Sequence, residues 1–337
     1  MIWTKAEGAR VTLADGRELL DLTGGFGVAA LGHRNPRIVQ AWREQEVVHA
    51  LGDLADAKVT VRLREALPWP AKLGVTGEDA VEIALRTAAL ATRRSGIVAF
   101  EGAYHGSGLL ALAATDFDRF KAPWRDWLPG PVHRFPYGED PGPLPPDTAA
   151  VIVEPVQGRA GSRVPPDGYL AQLRARADEA GALLIVDSIY AGLGRTGELW
   201  PGADVADILC VGKALGGGVP LSAALFVRGD LETLWQLGPE DVYTHTHVGN
   251  PLACAAALIV LDEVPKLLDR VVELGERFAA AGWHGKGLLR ARAGSADDAL
   301  ERGVLVVPAG DDGSLIQATP PLTLTDAEVD EALAALL

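Results

Sequence analysis

The chain has 337 residues, of which 48% are hydrophobic, so it is long enough to bury a large core and does not have the composition of a disordered chain. Its net charge of −14 argues against nucleic acid or an anionic membrane as a partner. Two cysteines are too few for a disulfide scaffold or a cysteine-based metal site. The first residues lack a signal-peptide pattern, and no apolar run reaches the roughly 18 residues that a membrane helix needs, so we expect a cytoplasmic protein.

The amino-terminal segment 8–24 contains strand-forming residues around Asp15-Gly16, which is typical of a hairpin turn. Short aliphatic runs then alternate with longer helix-like stretches. Four of these runs end at a glycine, a proline or a charge, as buried parallel strands do: 97–100, 149–154, 182–187 and 207–213. The apolar spacing of 167–182 predicts a helix between two of them. The chain is therefore predicted to be an α/β protein with a mostly parallel sheet covered by helices.

The carboxyl-terminal part does not continue the alternation of aliphatic runs and helix-like stretches. Residues 258–282 read as one long helix, and residues 302–337 read as two short strands, a turn and a final helix. Thr325 is the predicted N-cap of that helix, with Glu328 at the capping-box position. We therefore predict three segments: 1–45 as the amino-terminal part of a small α+β domain, 46–262 as a large cofactor-binding domain, and 263–337 as the rest of the small domain.

Three polar residues fall at the ends of predicted strands, namely Glu154, Asp187 and Lys213. Ligands of parallel α/β sheets bind at the carboxyl ends of the strands. Lys213 precedes a run of glycines, a helix opens at Thr76-Gly77, and Tyr104 follows a strand. A lysine, a buried acid, a helix amino terminus and an aromatic face are what an enzyme needs to bind and use pyridoxal phosphate.

These residues lie within seven motifs that follow one another along nearly the whole chain: DLTGGFGVAALGHRNPRIVQA, the Thr-Gly helix, FEGAYHG, VIVEPVQGRAG, LLIVDSIYAGLGRTGELW, DILCVGKALGGGVPLSA and THTHVGNPLACAAAL. In this order they resemble the class III aminotransferases, the fold-type-I pyridoxal phosphate family that includes the ornithine, acetylornithine and 4-aminobutyrate enzymes. The resemblance implies pyridoxal phosphate as cofactor.

The resemblance also implies the roles of individual residues. Lys213 is expected to form the Schiff base and to move the proton during amino transfer. Asp187 is expected to pair with the pyridine nitrogen, while Ile189 and Tyr104 pack on the two faces of the ring. Glu154 is expected to act as a supporting acid behind them.

Phosphate binding is implied for the backbone N–H groups of Gly77 and Glu78. Thr246 is expected to reach the phosphate of the neighbouring subunit, which makes a homodimer with active sites at the subunit interface.

Two departures from the family pattern fall on the cofactor site. Glu78 stands where the family usually has Ser, Thr or Ala, and a carboxylate near a phosphate is unfavourable. We expect its side chain to turn away from the phosphate while its N–H still binds, and the plainer explanation of the residue is a first-turn acid that stabilises the helix. Tyr190 replaces the glutamine that touches the ring hydroxyl, where it either donates the same hydrogen bond or only packs in the core.

Two further departures concern the substrate. Arg159 stands where the family has a glutamate, and Gln317 stands where it has the arginine that binds a substrate carboxylate. One hypothesis is that Arg159 binds an acidic group from the opposite wall, and the alternative is a solvated surface arginine. Phe26 is a candidate for lining the substrate pocket, with core packing as the alternative.

The predicted function is transfer of an amino group between a primary amine or amino acid and an oxo-acid, without nucleic acid, membrane or metal. His245 and His247 lack further ligands for a metal site. Another pyridoxal phosphate reaction stays open, such as that of an aminomutase, decarboxylase, racemase or cyclase, because Lys213 and Asp187 serve all of these. A non-catalytic family member is the third alternative.

Overall fold

The computed structural model describes residues 1–52, 54–236, 242–310 and 312–336. The amino-terminal part forms three antiparallel strands followed by a left-handed turn and two helices. Their bounds are β1 (Trp3–Glu7), β2 (Arg10–Leu13), β3 (Glu18–Asp21), α1 (Gly24–Gly27, the left-handed turn), α2 (Pro36–Arg43) and α3 (Lys58–Ala66). Gly16 has φ +89° in the turn between β2 and β3, as the predicted hairpin requires.

The middle of the chain alternates strands and helices. Its elements are β4 (Ala71–Gly74), α4 (Gly77–Thr92), β5 (Gly96–Phe100), α5 (Leu109–Ala114), α6 (Asp118–Lys121), β6 (Val132–Phe135), β7 (Thr148–Val153), α7 (Tyr169–Ala180), β8 (Leu183–Asp187), β9 (Ile208–Val211) and β10 (Ser222–Phe226). The strands form a seven-stranded sheet in the order β4-β10-β9-β8-β7-β5-β6. The pairs from β9 through β6 are parallel, and β10 is antiparallel to both its neighbours. The predicted α/β class with a mostly parallel sheet is confirmed.

The carboxyl-terminal part adds further helices and short strands: α8 (Pro251–Glu263), α9 (Leu268–Ala280), β11 (His284–Lys286), β12 (Leu289–Ala293), α10 (Ala296–Glu301), β13 (Val304–Leu305), β14 (Val307–Ala309), β15 (Leu315–Ala318) and α11 (Asp326–Leu336). Strand β13 pairs in parallel with β3, so the two ends of the chain share a sheet. A second sheet has the order β11-β12-β15-β14. The division of the chain at residues 45 and 262 stays a prediction.

The structure differs from the sequence predictions in the carboxyl-terminal part. The described part of residues 302–337 contains three short strands, β13, β14 and β15, where two were predicted. The helix expected over 258–282 is two helices, α8 and α9, separated by a 3₁₀ turn at Val264–Leu267. Pro265 lies in this turn, and proline removes a helical hydrogen bond and clashes with the preceding turn. The hairpin of β11 and β12 was not predicted, because its strands are short and carry His284, Lys286, Arg290 and Arg292 in place of an apolar run.

The parallel strands determine where functional groups meet. Strands β5, β7, β8 and β9 are buried along their whole length, which favours continuous aliphatic sequence. Because they are parallel, the loops after them leave from the same edge of the sheet. Those loops carry Tyr104, Glu154, Ile189 and Lys213. Within the described part of the chain, no helix has the length and apolar character that crossing a bilayer requires.

Candidate active site

A cavity of about 430 Å³ lies at this edge of the central sheet. Its lining contains the predicted cofactor residues except Thr246, two of the predicted substrate residues (Phe26 and Arg159) and some that were not predicted. The lining residues are Phe26, Thr76, Gly77, Glu78, Tyr104, His105, Gly106, Glu154, Arg159, Asp187, Ile189, Tyr190 and Lys213. The structure therefore brings together residues that are more than 180 positions apart in the sequence.

Lys213 begins a short 3₁₀ turn directly after β9 and Gly212. Its backbone has φ +40°, a conformation that side-chain-bearing residues adopt at a cost and that is found at functional sites. The Nζ atom lies 4.1 Å from the centre of the Tyr190 ring. Burial lowers the pKa of the Lys213 amine and Arg159 acts in the same direction, while Asp187 and Glu154 oppose them. The amine is therefore more easily deprotonated than a surface lysine.

Asp187 ends β8 and is 4% exposed. Its Oδ2 lies 2.7 Å from Nδ1 of His105, and its Oδ1 accepts a hydrogen bond from the Ile189 backbone N–H at 3.1 Å. These contacts fix the carboxylate at the cavity wall and compensate part of its loss of water. The Nε2 atom of His105 is buried without a hydrogen-bond partner among the described residues.

His105 was missed by the sequence interpretation, although it lies inside FEGAYHG, directly after the Tyr104 that was chosen. The signal was a histidine directly before Gly106-Ser107 in the loop that follows the buried strand β5, next to an aromatic candidate. Its partner Asp187 is 82 positions away, so only the fold shows that the two side chains meet.

Glu154 follows β7 and is 5% exposed. Its two carboxylate oxygens accept hydrogen bonds from the backbone N–H groups of Tyr104 and Gly158, each at 3.0 Å. Burial raises the pKa of Glu154 to about 7, and the negative charge of Asp187 adds to this, while His105 and the two N–H groups oppose it. Glu154 thus ties the loop that carries Tyr104 to the loop after β7.

Helix α4 begins at the cavity, and Thr76, Gly77 and Glu78 at its amino-terminal end line that cavity. The first turn of a helix leaves N–H groups without a helical partner, which suits an anion. The Asp79 carboxylate accepts from the N–H of Val75 at 2.9 Å and of Thr76 at 2.8 Å, which fixes the start of the helix.

The Glu78 carboxylate is turned toward the loop after Tyr104. Its Oε2 accepts from the Ser107 N–H and hydroxyl, both at 2.8 Å, and from the Gly108 N–H at 3.0 Å. Three donors thus hold the charge that the sequence interpretation found unfavourable beside a phosphate. Gly106 allows this approach, since a Cβ there would lie 2.6 Å from the Glu78 Cβ.

Arg159 lines the cavity and is held by aromatic rings. Its guanidinium carbon lies 5.3 Å from the centres of both the Tyr104 and the Phe120 rings. Those two rings pack against each other at 5.6 Å. The Arg159 Nε is buried without a hydrogen-bond partner among the described residues, and no ion pair found in the described part of the chain involves Arg159. Phe120 was not chosen from the sequence, where nothing distinguishes it from a core residue.

Tyr190 and Gln317 form one unit at the cavity wall. The Tyr190 hydroxyl donates to Gln317 Oε1 at 3.0 Å, and Gln317 Nε2 donates to the Gly158 carbonyl at 2.5 Å and to Ser162 Oγ at 2.9 Å. The hydroxyl is therefore committed to Gln317, and what Tyr190 presents to Lys213 is its ring.

Gln317 is 1% exposed and does not line the cavity, in contrast to its selection as a substrate candidate. The physical reason is Tyr190, which is larger than the glutamine of the family pattern and lies in front of it. Gly158 makes room for the ring, since a Cβ there would lie 2.2 Å from Tyr190 Cδ1.

Phe26 lies at the mouth of the cavity with 52% of its surface exposed. Its φ of +61° places it in the left-handed region together with Gly25, in the turn Gly24–Gly27. Thr246 is exposed and outside the lining of this cavity. Within the described residues, no group of three or more His, Cys, Asp or Glu side chains is placed to bind a metal ion.

The residues around the cavity fit pyridoxal phosphate. The lysine amine, the buried Asp187 carboxylate and the start of α4 open onto one space, which is what the aldehyde, ring nitrogen and phosphate of this group require. The Ile189 side chain packs closely on the backbone of Gly77, since a Cβ on Gly77 would lie 3.1 Å from it. An aromatic face, Tyr104, completes the lining.

Comparison with known proteins identifies the family. Residues 1–281 match the family model of the class-III aminotransferases. The acetylornithine aminotransferase of Methanopyrus kandleri is 36% identical over 98% of this chain and 92% of its own length. The putrescine aminotransferase of Pectobacterium atrosepticum is 33% identical over 93% of this chain and 77% of its own length. An ornithine aminotransferase structure from Toxoplasma gondii, with partial occupancy of pyridoxal phosphate, has a TM-score of 0.89 and 29% identity over 99% of this chain and 88% of that chain.

The chain therefore belongs to the class-III aminotransferases. It is a pyridoxal phosphate-dependent aminotransferase of fold type I, as the sequence motifs predicted. Among the alternatives left open by the sequence, the matches support amino-group transfer.

Glu154 gives a prediction about stability and pH. Its pKa is about 7 in the folded chain against 4.5 ordinarily, so the folded chain keeps a proton between these values that the unfolded chain releases. This stabilisation is complete below pH 4.5 and is lost as the pH rises through 7. Between pH 4.5 and 7, the loss of this proton lowers the free energy of unfolding of the wild type by about 3 kcal/mol. Glu154→Gln has no such proton, so its free energy of unfolding should not show this contribution.

Urea denaturation at a series of pH values measures the difference. Glutamine can accept only one of the two backbone hydrogen bonds, so the variant starts from a lower stability, but the comparison concerns the slope. Glu301→Gln, at an exposed position, is the control and should follow the wild type. Equal slopes for Glu154→Gln and wild type would contradict the prediction.

Lys213 gives a prediction about cofactor attachment. Borohydride reduction of the protein with pyridoxal phosphate should add the cofactor mass to the peptide that contains Lys213. Lys213→Arg keeps the positive charge but cannot form the covalent bond, so its peptide should remain unlabelled. Lys286→Arg removes a surface lysine that pairs with Glu198 and should leave the labelling intact. Mass spectrometry of the digests decides, and labelling of another lysine in the wild type would refute the assignment.

Proposed function

We propose that this class-III aminotransferase uses Lys213 for amino transfer and Arg159 to bind the carboxylate of an oxo-acid substrate. The observation that supports this proposal is the position of Arg159, which shares the cavity with Lys213 and is stacked on Tyr104 and Phe120. Stacking uses the faces of the guanidinium and leaves its N–H edge for a planar, two-oxygen acceptor such as a carboxylate.

Pyridoxal phosphate, when bound, supplies an aldehyde that takes up the amino group and a ring that accepts electrons. The N–H groups of Gly77 and Glu78 would hold its phosphate, and Asp187 would pair with its ring nitrogen. His105 orients that acid, because its Nδ1 lies 2.7 Å from Asp187 Oδ2. Ile189 and Tyr104 would pack on the ring, and Tyr190 contributes its ring rather than its hydroxyl.

Lys213 is the group that moves protons in this mechanism. Burial lowers the pKa of its amine, so the neutral form is more available as a nucleophile and base than in a surface lysine. Its Nζ would take a proton from the amine-bearing carbon of the substrate and return it one position further along the conjugated system. The 3₁₀ turn Lys213–Gly216 fixes the backbone of Lys213 beside the cavity, and the side chain lines its wall.

Arg159→Gln tests the carboxylate assignment. With an amine donor held constant, the variant should lose about tenfold or more in kcat/KM for an oxo-acid, mainly through KM, because a charge-assisted bidentate contact is removed. Conversion of a neutral amine in the first half-reaction should change little.

Arg163→Gln is the matched control, since Arg163 stacks over Tyr137 and does not line the cavity. It should leave both half-reactions near the wild-type rate. Equal losses for the acid and the neutral amine in Arg159→Gln would refute the assignment.

We also propose that the protein is a homodimer in which Thr246 completes the partner's site. Thr246 is exposed and lies outside the cavity of its own chain. It belongs to a surface that carries exposed Val48, Leu51 and Leu54. The two segments are neighbours, because the rings of His49 and His247 lie 5.3 Å apart. Exposed apolar side chains in this number mark an interaction surface. A cytoplasmic location stays a prediction from the sequence.

Thr246→Val tests this arrangement, since it keeps the shape of the side chain and removes its hydroxyl. Sedimentation should give a dimer mass for both wild type and variant, while the variant should bind pyridoxal phosphate several-fold more weakly in equilibrium dialysis. Thr244→Val changes an exposed threonine of the same segment and should bind like the wild type. A monomeric wild type, or unchanged binding in Thr246→Val, would refute the proposal.

A further inference from the structure

The charged side chains in the described cavity lining can bind one substrate carboxylate. The basic side chains in the described lining are Lys213, which is needed for the chemistry, His105, which is already paired with Asp187, and Arg159. The acidic ones are Glu78, Glu154 and Asp187. A substrate with a single carboxylate can place it at Arg159. A second carboxylate would find no further lysine or arginine in the described lining of this chain and would approach Asp187 and Glu78, whose charges repel it in a partly buried site.

The wall beside Lys213 is closed to an anion by Tyr190. The Nζ atom lies over the ring at 4.1 Å from its centre, which is the attraction of a cation for the electron-rich face of an aromatic ring. The same face repels an anion. The polar atom of the side chain faces away, because the Tyr190 hydroxyl donates to Gln317 Oε1.

Gln317 offers no second site behind the ring. Its amide nitrogen donates to the Gly158 carbonyl and to Ser162 Oγ, and its amide oxygen accepts from Tyr190. All its hydrogen-bonding groups are therefore engaged, and the side chain is 1% exposed. A carboxylate on this side of the cavity would lose its water without gaining a donor.

We propose that Tyr190, fixed by Gln317, restricts the acceptor to oxo-acids that carry one carboxylate and an uncharged remainder. This inference rests on the proposed function, since Arg159 must bind that one carboxylate. Tyr190 is thus a specificity-determining residue, because a dicarboxylic oxo-acid would direct its second carboxylate at the Tyr190 ring or at the acids.

Two matched pairs of five-carbon compounds test the restriction. In steady-state kinetics with one amine donor, 2-oxovalerate should exceed 2-oxoglutarate in kcat/KM by about tenfold or more. In calorimetry of the enzyme with its cofactor, valerate should bind about tenfold or more tightly than glutarate, which gives a readout independent of turnover. Equal binding of the two acids, or tighter binding of glutarate, would overturn the inference.

Variants separate this inference from the Arg159 proposal. Arg159→Gln should weaken valerate binding, and if valerate binds the variant as it binds the wild type, the Arg159 proposal fails and this inference fails with it. If Arg159→Gln weakens both acids but the wild type binds them equally, the Arg159 proposal stands and the Tyr190 restriction alone is overturned.

Tyr190→Gln removes the aromatic wall and should reduce the preference for valerate by about fivefold or more, while valerate still depends on Arg159. Tyr169→Phe is the control, since Tyr169 is buried outside the cavity and its hydroxyl has no hydrogen-bond partner among the described residues. It should keep the wild-type preference. An unchanged preference in a folded Tyr190→Gln would show that the ring does not set the selectivity.

Discussion

The buried carboxylate of Asp187 is the constraint on which the site depends. An acid that is 4% exposed is unfavourable unless donors replace its water, and His105 and the Ile189 N–H supply them. The same buried space contains Glu154, whose pKa rises to about 7, and the Lys213 amine, whose pKa falls. Burial thus shifts both groups toward their neutral forms, and it makes the Lys213 amine a better base than the amine of a surface lysine.

The parallel sheet brings these groups together. Asp187 closes β8, Glu154 follows β7, and Lys213 follows β9, all at one edge. This much was predictable from the sequence, because a buried parallel strand is an uninterrupted aliphatic run and the residue that ends it is easy to identify. The cofactor and the activity were predictable for the same reason, since the motifs that carry them lie at those strand ends.

The substrate side was not predictable in this way, because its contacts join distant parts of the chain. Gln317 was chosen by its position before two prolines, yet the ring that covers it belongs to Tyr190, 127 positions earlier. Phe120 holds Arg159 from a short helix with no distinguishing pattern. The prediction of a single helix over 258–282 was wrong for a local reason that is visible in the sequence, because Pro265 interrupts the helix. Glu78 was predicted only in part, because the sequence shows its charge but not that Ser107 and Gly108 donate hydrogen bonds to it.

The departures from the family pattern are coupled through residue 158. A side chain at position 158 would collide with the Tyr190 ring. The carbonyl of Gly158 accepts from Gln317, and the N–H of Gly158 donates to Glu154. The next residue is Arg159. A chain that carries tyrosine at 190 and glutamine at 317 therefore has an uncharged wall on one side of Gly158, and the cation of the described lining that we propose for a carboxylate is its neighbour Arg159. The arginine at 159 and the glutamine at 317 are therefore linked through the backbone at Gly158, which also donates to Glu154 on the cofactor side of the cavity.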